Sequence, residues 1–224
     1  MANYGAMIDY NGQTFVTPQS TPFILYSKTT AVATWSTGDR WTATSSISIP
    51  SSYPAIGFMK ANYHAALSCG RSGNSVVFSG TAQGGNVPQF TITCYLFARF
   101  PQPLPKWGVA IWDASGTCIL TNESRPLSDL ITIGTPGANG GINIDQTLSG
   151  SFAVMPCLMG ATLFQVQIPG QQPVVVPVSG YTAASFNGST TRINAASDQS
   201  GGGSPVGHLN TGVAITAINT ASYD

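Results

Sequence analysis

The chain repeats itself, and nothing else in it constrains the fold as strongly. Near the start it reads Tyr4-Gly5-Ala6-Met7-Ile8-Asp9-Tyr10-Asn11-Gly12-Gln13-Thr14-Phe15-Val16-Thr17. Past the middle it reads Trp107-Gly108-Val109-Ala110-Ile111-Trp112-Asp113-Ala114-Ser115-Gly116-Thr117-Cys118-Ile119-Leu120-Thr121. An offset of 103 carries Gly5 onto Gly108, and after one inserted residue an offset of 104 carries Gly12 onto Gly116. At that second offset Thr17, Ser20 and Pro22 fall on Thr121, Ser124 and Pro126. Each copy opens with an aromatic–glycine pair and a short alternating strand. Asn11-Gly12 or Ser115-Gly116 then supplies the positive φ of a hairpin turn. A second strand follows, and a Thr/Ser/Pro segment ends the hairpin.

Two further echoes keep the same order. Ser75-Val76-Val77-Phe78-Ser79-Gly80 resembles Val175-Val176-Pro177-Val178-Ser179-Gly180, each after a Gly-containing turn. Tyr53-Pro54-Ala55-Ile56-Gly57-Phe58-Met59 loosely matches Phe152-Ala153-Val154-Met155-Pro156. Such self-similarity is the mark of duplication. Short alternating segments such as Ala31-Val32-Ala33-Thr34-Trp35 recur with turn residues between them. Met59–Leu67 alone has helical propensity, and its β context assigns it to strand or loop. The expected fold is all-β: two tandem, small, sandwich-like domains related by internal duplication. The Pro-dense stretch 101–105 favours an extended spacer and marks the joint. The domains are then 1–102 and 103–196, followed by a Gly-rich linker and a terminal strand over 197–224. That last strand either closes the second sheet or pairs with a neighbouring chain.

Of 224 residues only 7% are charged, and eight basic residues balance eight acidic ones. Nucleic acid and anionic membranes are excluded as electrostatic partners. No apolar run reaches the ~18 residues a membrane span needs. Met1-Ala2-Asn3-Tyr4-Gly5 has neither the basic nor the apolar region of a signal peptide. Synthesis in a cytoplasm is expected. A neutral surface of Ser, Thr, Asn, Gln and Gly is poorly protected against association. It suits a protein that lives inside an assembly, or a secreted β-protein.

Catalytic chemistry is not evident. Cys69, Cys94, Cys118 and Cys157 form no CxxC pair and have no histidine nearby, so no metal site is expected. Each lies in an apolar run and reads as a reduced, small hydrophobe. His64 and His208 are the only histidines, and no Gly-x-Ser-x-Gly elbow accompanies them. The acidic residues are scattered, and Asp9 and Asp113 serve as turn formers. No catalytic residue, cofactor site or metal is assigned. Trp35 and Trp41 flank a polar turn. With Tyr53 they are the candidate contacts for a surface receptor or glycan; the alternative places each tryptophan against a core edge.

The segment Trp107–Gly116, with Ser124-Arg125, resembles the opening of small β-rich proteins encoded near the tail-tip and central-fibre genes of tailed bacteriophages. Those proteins begin with an aromatic–Gly strand and a D-A-x-G turn. The N-terminal copy matches less well, since Thr21 stands where Arg125 does. The resemblance covers about 20 residues in each half. It implies a non-enzymatic virion structural protein of the distal tail, made in the host cytoplasm. It implies three- or six-fold copies, other tail or fibre proteins as partners, and a host surface receptor as a further contact. A receptor- or carbohydrate-binding module and a capsid decoration protein are the alternatives.

Overall fold

The computed structural model describes residues 8–10, 13–16, 21–36 and 38–224, giving strand pairing alone for 8–10 and 13–16. The turn Asn11-Gly12, the pair Tyr4-Gly5, and Thr17 and Ser20 lie outside the described residues. The chain is all-β. Its strands are β1 (Ile8–Tyr10), β2 (Gln13–Val16), β3 (Ile24–Val32), β4 (Thr34–Ser36), β5 (Arg40–Ser48), β6 (Ala55–Ala61), β7 (Ala66–Ser72), β8 (Ser75–Gln83) and β9 (Thr91–Ala98). There follow β10 (Ala110–Trp112), β11 (Cys118–Thr121), β12 (Leu130–Ile133), β13 (Asp145–Ser149), β14 (Phe152–Val154), β15 (Leu158–Val166), β16 (Val174–Phe186), β17 (Thr190–Ser197), β18 (Ser204–Asn210) and β19 (Ile215–Asn219). Among the described residues a single 3₁₀ turn, Gly141–Asn143, interrupts them. Met59–Leu67 divides into the end of β6, a loop and the start of β7.

The strands follow from alternation. In β8, Val76, Phe78, Gly80 and Ala82 are buried, while Ser75, Val77, Ser79, Thr81 and Gln83 between them are less so. One face therefore meets the core. Strands β4-β5-β8-β7 make a four-stranded sheet. An eleven-stranded sheet runs β12-β19-β14-β6-β16-β15-β18. Off that path β9 flanks β6 with β3 outside it, and β17 flanks β16 with β13 outside it. Around the β6–β14 contact (Met59 opposite Val154) the neighbours mirror each other: β9 then β3 on one side, β19 then β12 on the other. Strands from both sides of residue 102 thus share this sheet.

The two small hairpins have the same register. In the first, Ile8 pairs with Val16 and Asp9 with Thr14, with a bulge between Ile8 and Asp9. In the second, Ile111 pairs with Leu120 and Trp112 with Cys118, with a bulge between Ile111 and Trp112. Offsets of 103 on the first strand and 104 on the second superpose these pairs. The turn of the second copy is built by Asp113. Its Oδ1 accepts from Ser115 N (2.9 Å), Ser115 Oγ (2.7 Å) and Thr117 N (2.9 Å), and Gly116 takes φ 82°.

The main core joins Ile47, Leu67, Phe78, Ile92 and Leu96 to Ile133, Val154, Met159, Ile193 and Ile215. Burying each such large side chain contributes about 1.5–3 kcal/mol. A second cluster (Phe58, Tyr95, Phe97, Ala153, Ile218, Tyr223) lies on the opposite face of β6 and β9. The terminal strand β19 sits between β12 and β14. Ser204 and Pro205, at the end of the Gly-rich segment, open β18. Within the Pro-rich 101–105 stretch one residue is anchored. Gln102 is buried, donates its backbone N–H to Cys118 O and accepts from Ser124 Oγ. All four cysteines are free thiols. Cys94 and Cys118 are buried; Cys69 and Cys157 are partly so.

Candidate interaction surface

The β4–β5 hairpin sets Trp35 directly opposite Trp41. Their rings meet edge to face, with centroids 5.7 Å apart and planes at 76°. This arrangement suits the ring quadrupoles. Trp35 is 51% exposed, while Trp41 packs against the main core. The Trp41 indole Nε1 is buried and meets no acceptor among the described residues. The turn that joins them carries Asp39 at φ 56°, held by Gly84 N donating to its carbonyl. The pair therefore has one outward ring backed by one core ring. An outward indole is a stacking platform for an apolar sugar face.

Tyr53 is not part of this surface. It follows the far end of β5, and Trp41 to Ser48 along that strand spans roughly 23 Å at the usual rise per residue. Its ring is partly buried against the core and lies 6.3 Å from Phe100. Its carbonyl accepts from Arg71 Nη1. Trp35 and Trp41 are brought together; Tyr53 is held apart by the length of the strand.

A second aromatic surface lies on the repeated hairpin. β11 turns Ile119 and Leu120 onto Ile24 and Phe100. Outward stand Leu104, Val109, Trp112 and Trp107, the last 81% exposed. The aromatic–glycine pair has a local cause here. Gly108 adopts φ 131°, and a Cβ on it would lie 2.0 Å from Asn122 Oδ1. That oxygen accepts from Val109 N, so the asparagine occupies the space a side chain would need.

The strongest polar constellation was not visible in the sequence. Lys60 in β6 is 7% exposed. Its ammonium donates to Ser151 Oγ (2.5 Å), Thr220 Oγ1 (3.0 Å) and Asp224 Oδ2 (2.8 Å). Asp224 also accepts from Tyr95 OH, Lys28 Nζ (3.0 Å) and Thr220 Oγ1 (2.7 Å). Burial lowers the Lys60 pKa against the opposing pull of Asp224. For Asp224, burial favours the neutral acid. Hydrogen bonds from Lys60, Tyr95, Thr220 and Lys28 outweigh it and hold the carboxyl well below the usual carboxylate range. Burial and the bond to Asp224 push the Tyr95 phenol up. An ammonium has three N–H donors, and all are used. The cluster is thus a closed clasp that fixes residues 220–224 over the Phe58–Tyr95–Tyr223 cluster. The pattern that would have found it is one lysine at a core position of an apolar strand. Its partner lies 164 residues away.

The histidines lie apart. His64 Nε2 is 3.2 Å from Ala195 O. His208 stands on β18 beside Ile142, Asn143 and Thr162 in a shallow cleft of about 360 Å³. A second shallow cleft, about 330 Å³, lies between Thr21, Arg99, Phe100 and Asp113. Among the described residues no three His, Cys, Asp or Glu converge as a metal site. No described helix is long and apolar enough to cross a membrane. No protein-family model, curated protein or solved structure matches the chain.

Proposed function

We propose that this chain is a structural protein of the distal tail of a bacteriophage, seated at the tail tip or on the central fibre and able to contact the host surface. The observation that carries the reading is the repeated hairpin, whose two copies share register and bulge. That hairpin is the segment with the tail-protein resemblance. The same repeat supports an internal duplication. On this reading the halves are two sandwich-like units joined edge to edge across β6 and β14, with β9–β3 and β19–β12 as equivalent neighbours. The chain acts by docking, in several copies and with other tail or fibre proteins, rather than by catalysis. Exposed Trp107, Val109 and Trp112 offer apolar contact area on the hairpin itself. Mass spectrometry of purified tails, with tagged imaging of the particle, tests the reading. Presence at the distal tail supports it; absence from tails sinks it.

A second reading is favoured by the outward Trp35 ring. In it the chain binds a host glycan, stacked on Trp35 and oriented by groups near the Gly38–Arg40 turn. Glycan-array binding lost on Trp35→Ala is its expected outcome, and no binding to any envelope polysaccharide counts against it.

A further inference from the structure

Strands β15, β16 and β18 run out beyond the shared core as a three-stranded ribbon. Leu163–Gln165 pairs with Val175–Pro177 on one side and with Ser204–Gly207 on the other. Among the described residues nothing pairs with the outer edge of β18, or with that of β16 before Gly180, where β17 begins. Val174, Val175 and Val176 are all exposed. Successive strand residues point to opposite faces, so Val174–Pro177 and β18 are open on both faces of the ribbon, while Phe164 is partly covered by Gly201. Residues opposite one another share a face. Val174, Val176, Phe164 and Pro205 lie on one face; Val175, Pro177, Leu163 and Leu209 lie on the other. Val175 is 55% exposed and Leu209 57%.

The ribbon also lacks charge. No Asp, Glu, Lys or Arg occurs in residues 146–191 or 199–223. Solitary chains usually defend such surfaces with charged side chains and keep apolar patches small. Here the outer strands carry Pro177 and Pro205 instead. Proline cannot donate to a β-ladder, so it disfavours strand addition at the edges and leaves the faces for contact. A charged partner would lose hydration on this surface with no ion pair in return. The partner that fits is equally uncharged, and a second ribbon meets that requirement. Packing like face on like face in a pair leaves the other face of each copy bare. Head-to-tail packing covers both faces, and a head-to-tail contact that closes makes a ring.

We infer that the β15–β16–β18 ribbon is a self-assembly surface, one face of each ribbon packing on the opposite face of the next copy's ribbon, in a closed ring of three or more chains. The inference deepens the multi-copy part of the tail proposal and rests on it for the choice of occupant. Native mass spectrometry and light scattering of the purified full chain test it, with Val175→Lys and Val176→Lys as single variants. Both valines are exposed, so far-UV circular dichroism matching wild type and a cooperative melt are expected and show that the variants are folded. The wild type is expected as a ring. Each variant spoils one face, hence every junction, and weakens association by about tenfold or more. Mixing the two variants leaves one intact junction per pair, so a heterodimer forms and nothing larger. A wild-type monomer well above micromolar concentration overturns the inference, and so does a variant that keeps the wild-type mass. A ring insensitive to both variants overturns the ribbon contact and leaves the tail reading standing. A ring of this kind with the chain absent from tails upholds the ribbon and overturns the tail reading.

Discussion

Lys60 anchors the polar cluster that holds residues 220–224. It donates to Ser151, Thr220 and Asp224, and it lies 5.5 Å from the Tyr95 ring centroid and 5.3 Å from that of Phe186. Replacing it by Met removes one charge of a largely buried pair and leaves Asp224 to Lys28 and Tyr95. Because Asp224 is partly open to solvent, the expected cost is about 2–3 kcal/mol, below that of a fully buried pair. A denaturant midpoint measures it. The sign of the pH dependence follows from Asp224. Its folded pKa is depressed, so its stabilisation is complete above the ordinary carboxylate value of about 3.9 and drains away as pH falls toward the lower folded value. Melting temperatures of wild type and Asp224→Asn are expected to differ by a steady amount near neutral pH and to draw together progressively as pH falls below about 4. A gap that stays constant down to acid pH would remove Asp224 from this role. Gly108 is the second residue with a sharp requirement. Gly108→Ala forces a non-glycine residue to φ 131° and drives a Cβ into Asn122. A loss of about 1–3 kcal/mol is expected, read as a lowered melting temperature. The cysteines follow from burial: it pushes Cys69 up to about 11 and, with the neighbouring Cys69, pushes Cys94 up to about 12. Alkylation of the native chain at pH 8 is expected to leave both largely unmodified, and unfolding in denaturant to release them.

At the scale of elements, what the sequence revealed depended on range. The hairpin at Trp107–Thr121 was legible because its causes are local. Gly116 supplies the turn, Asp113 caps it, and the strand residues alternate. The Trp35–Trp41 pairing was legible for the same reason, since one tight turn puts the two residues opposite each other. The separation of Tyr53 from that pair was not legible, because it depends on the length of the strand that intervenes. The clasp at Lys60 joins β6 to residues beyond β19, so no local pattern pointed to Asp224. Residues 75–80 and 175–180, which echo each other in sequence, both lie in strands. Yet β8 alternates buried and less buried positions, while Val174–Pro177 of β16 is exposed throughout. One motif serves a core strand in one place and an unpacked ribbon in the other. Charge asymmetry along the chain was the available signal for that difference.

At the scale of the whole molecule, the question is whether the halves unfold together. If residues 1–102 and 103–196 were separate units, each would have its own transition. The contacts argue for coupling. β6 pairs with β9 from its own half and meets β14 and β16 from the other. Phe78, Ile92 and Leu96 share a core with Ile133, Met159 and Ala217. Lys60 and Tyr95 are tied to residues 220–224. Melting one half would strip apolar cover from the other and break the clasp. The expected outcome is one cooperative thermal transition, with calorimetric and van't Hoff enthalpies equal under conditions where the chain is monomeric. Met59→Ala tests the coupling at the joint itself, because Met59 is fully buried and sits opposite both Cys94 and Val154. Truncation there is expected to cost about 2–5 kcal/mol and to lower the whole transition as one. Two resolved transitions, with only the first moved by Met59→Ala, would mean that the shared sheet joins the halves without coupling them.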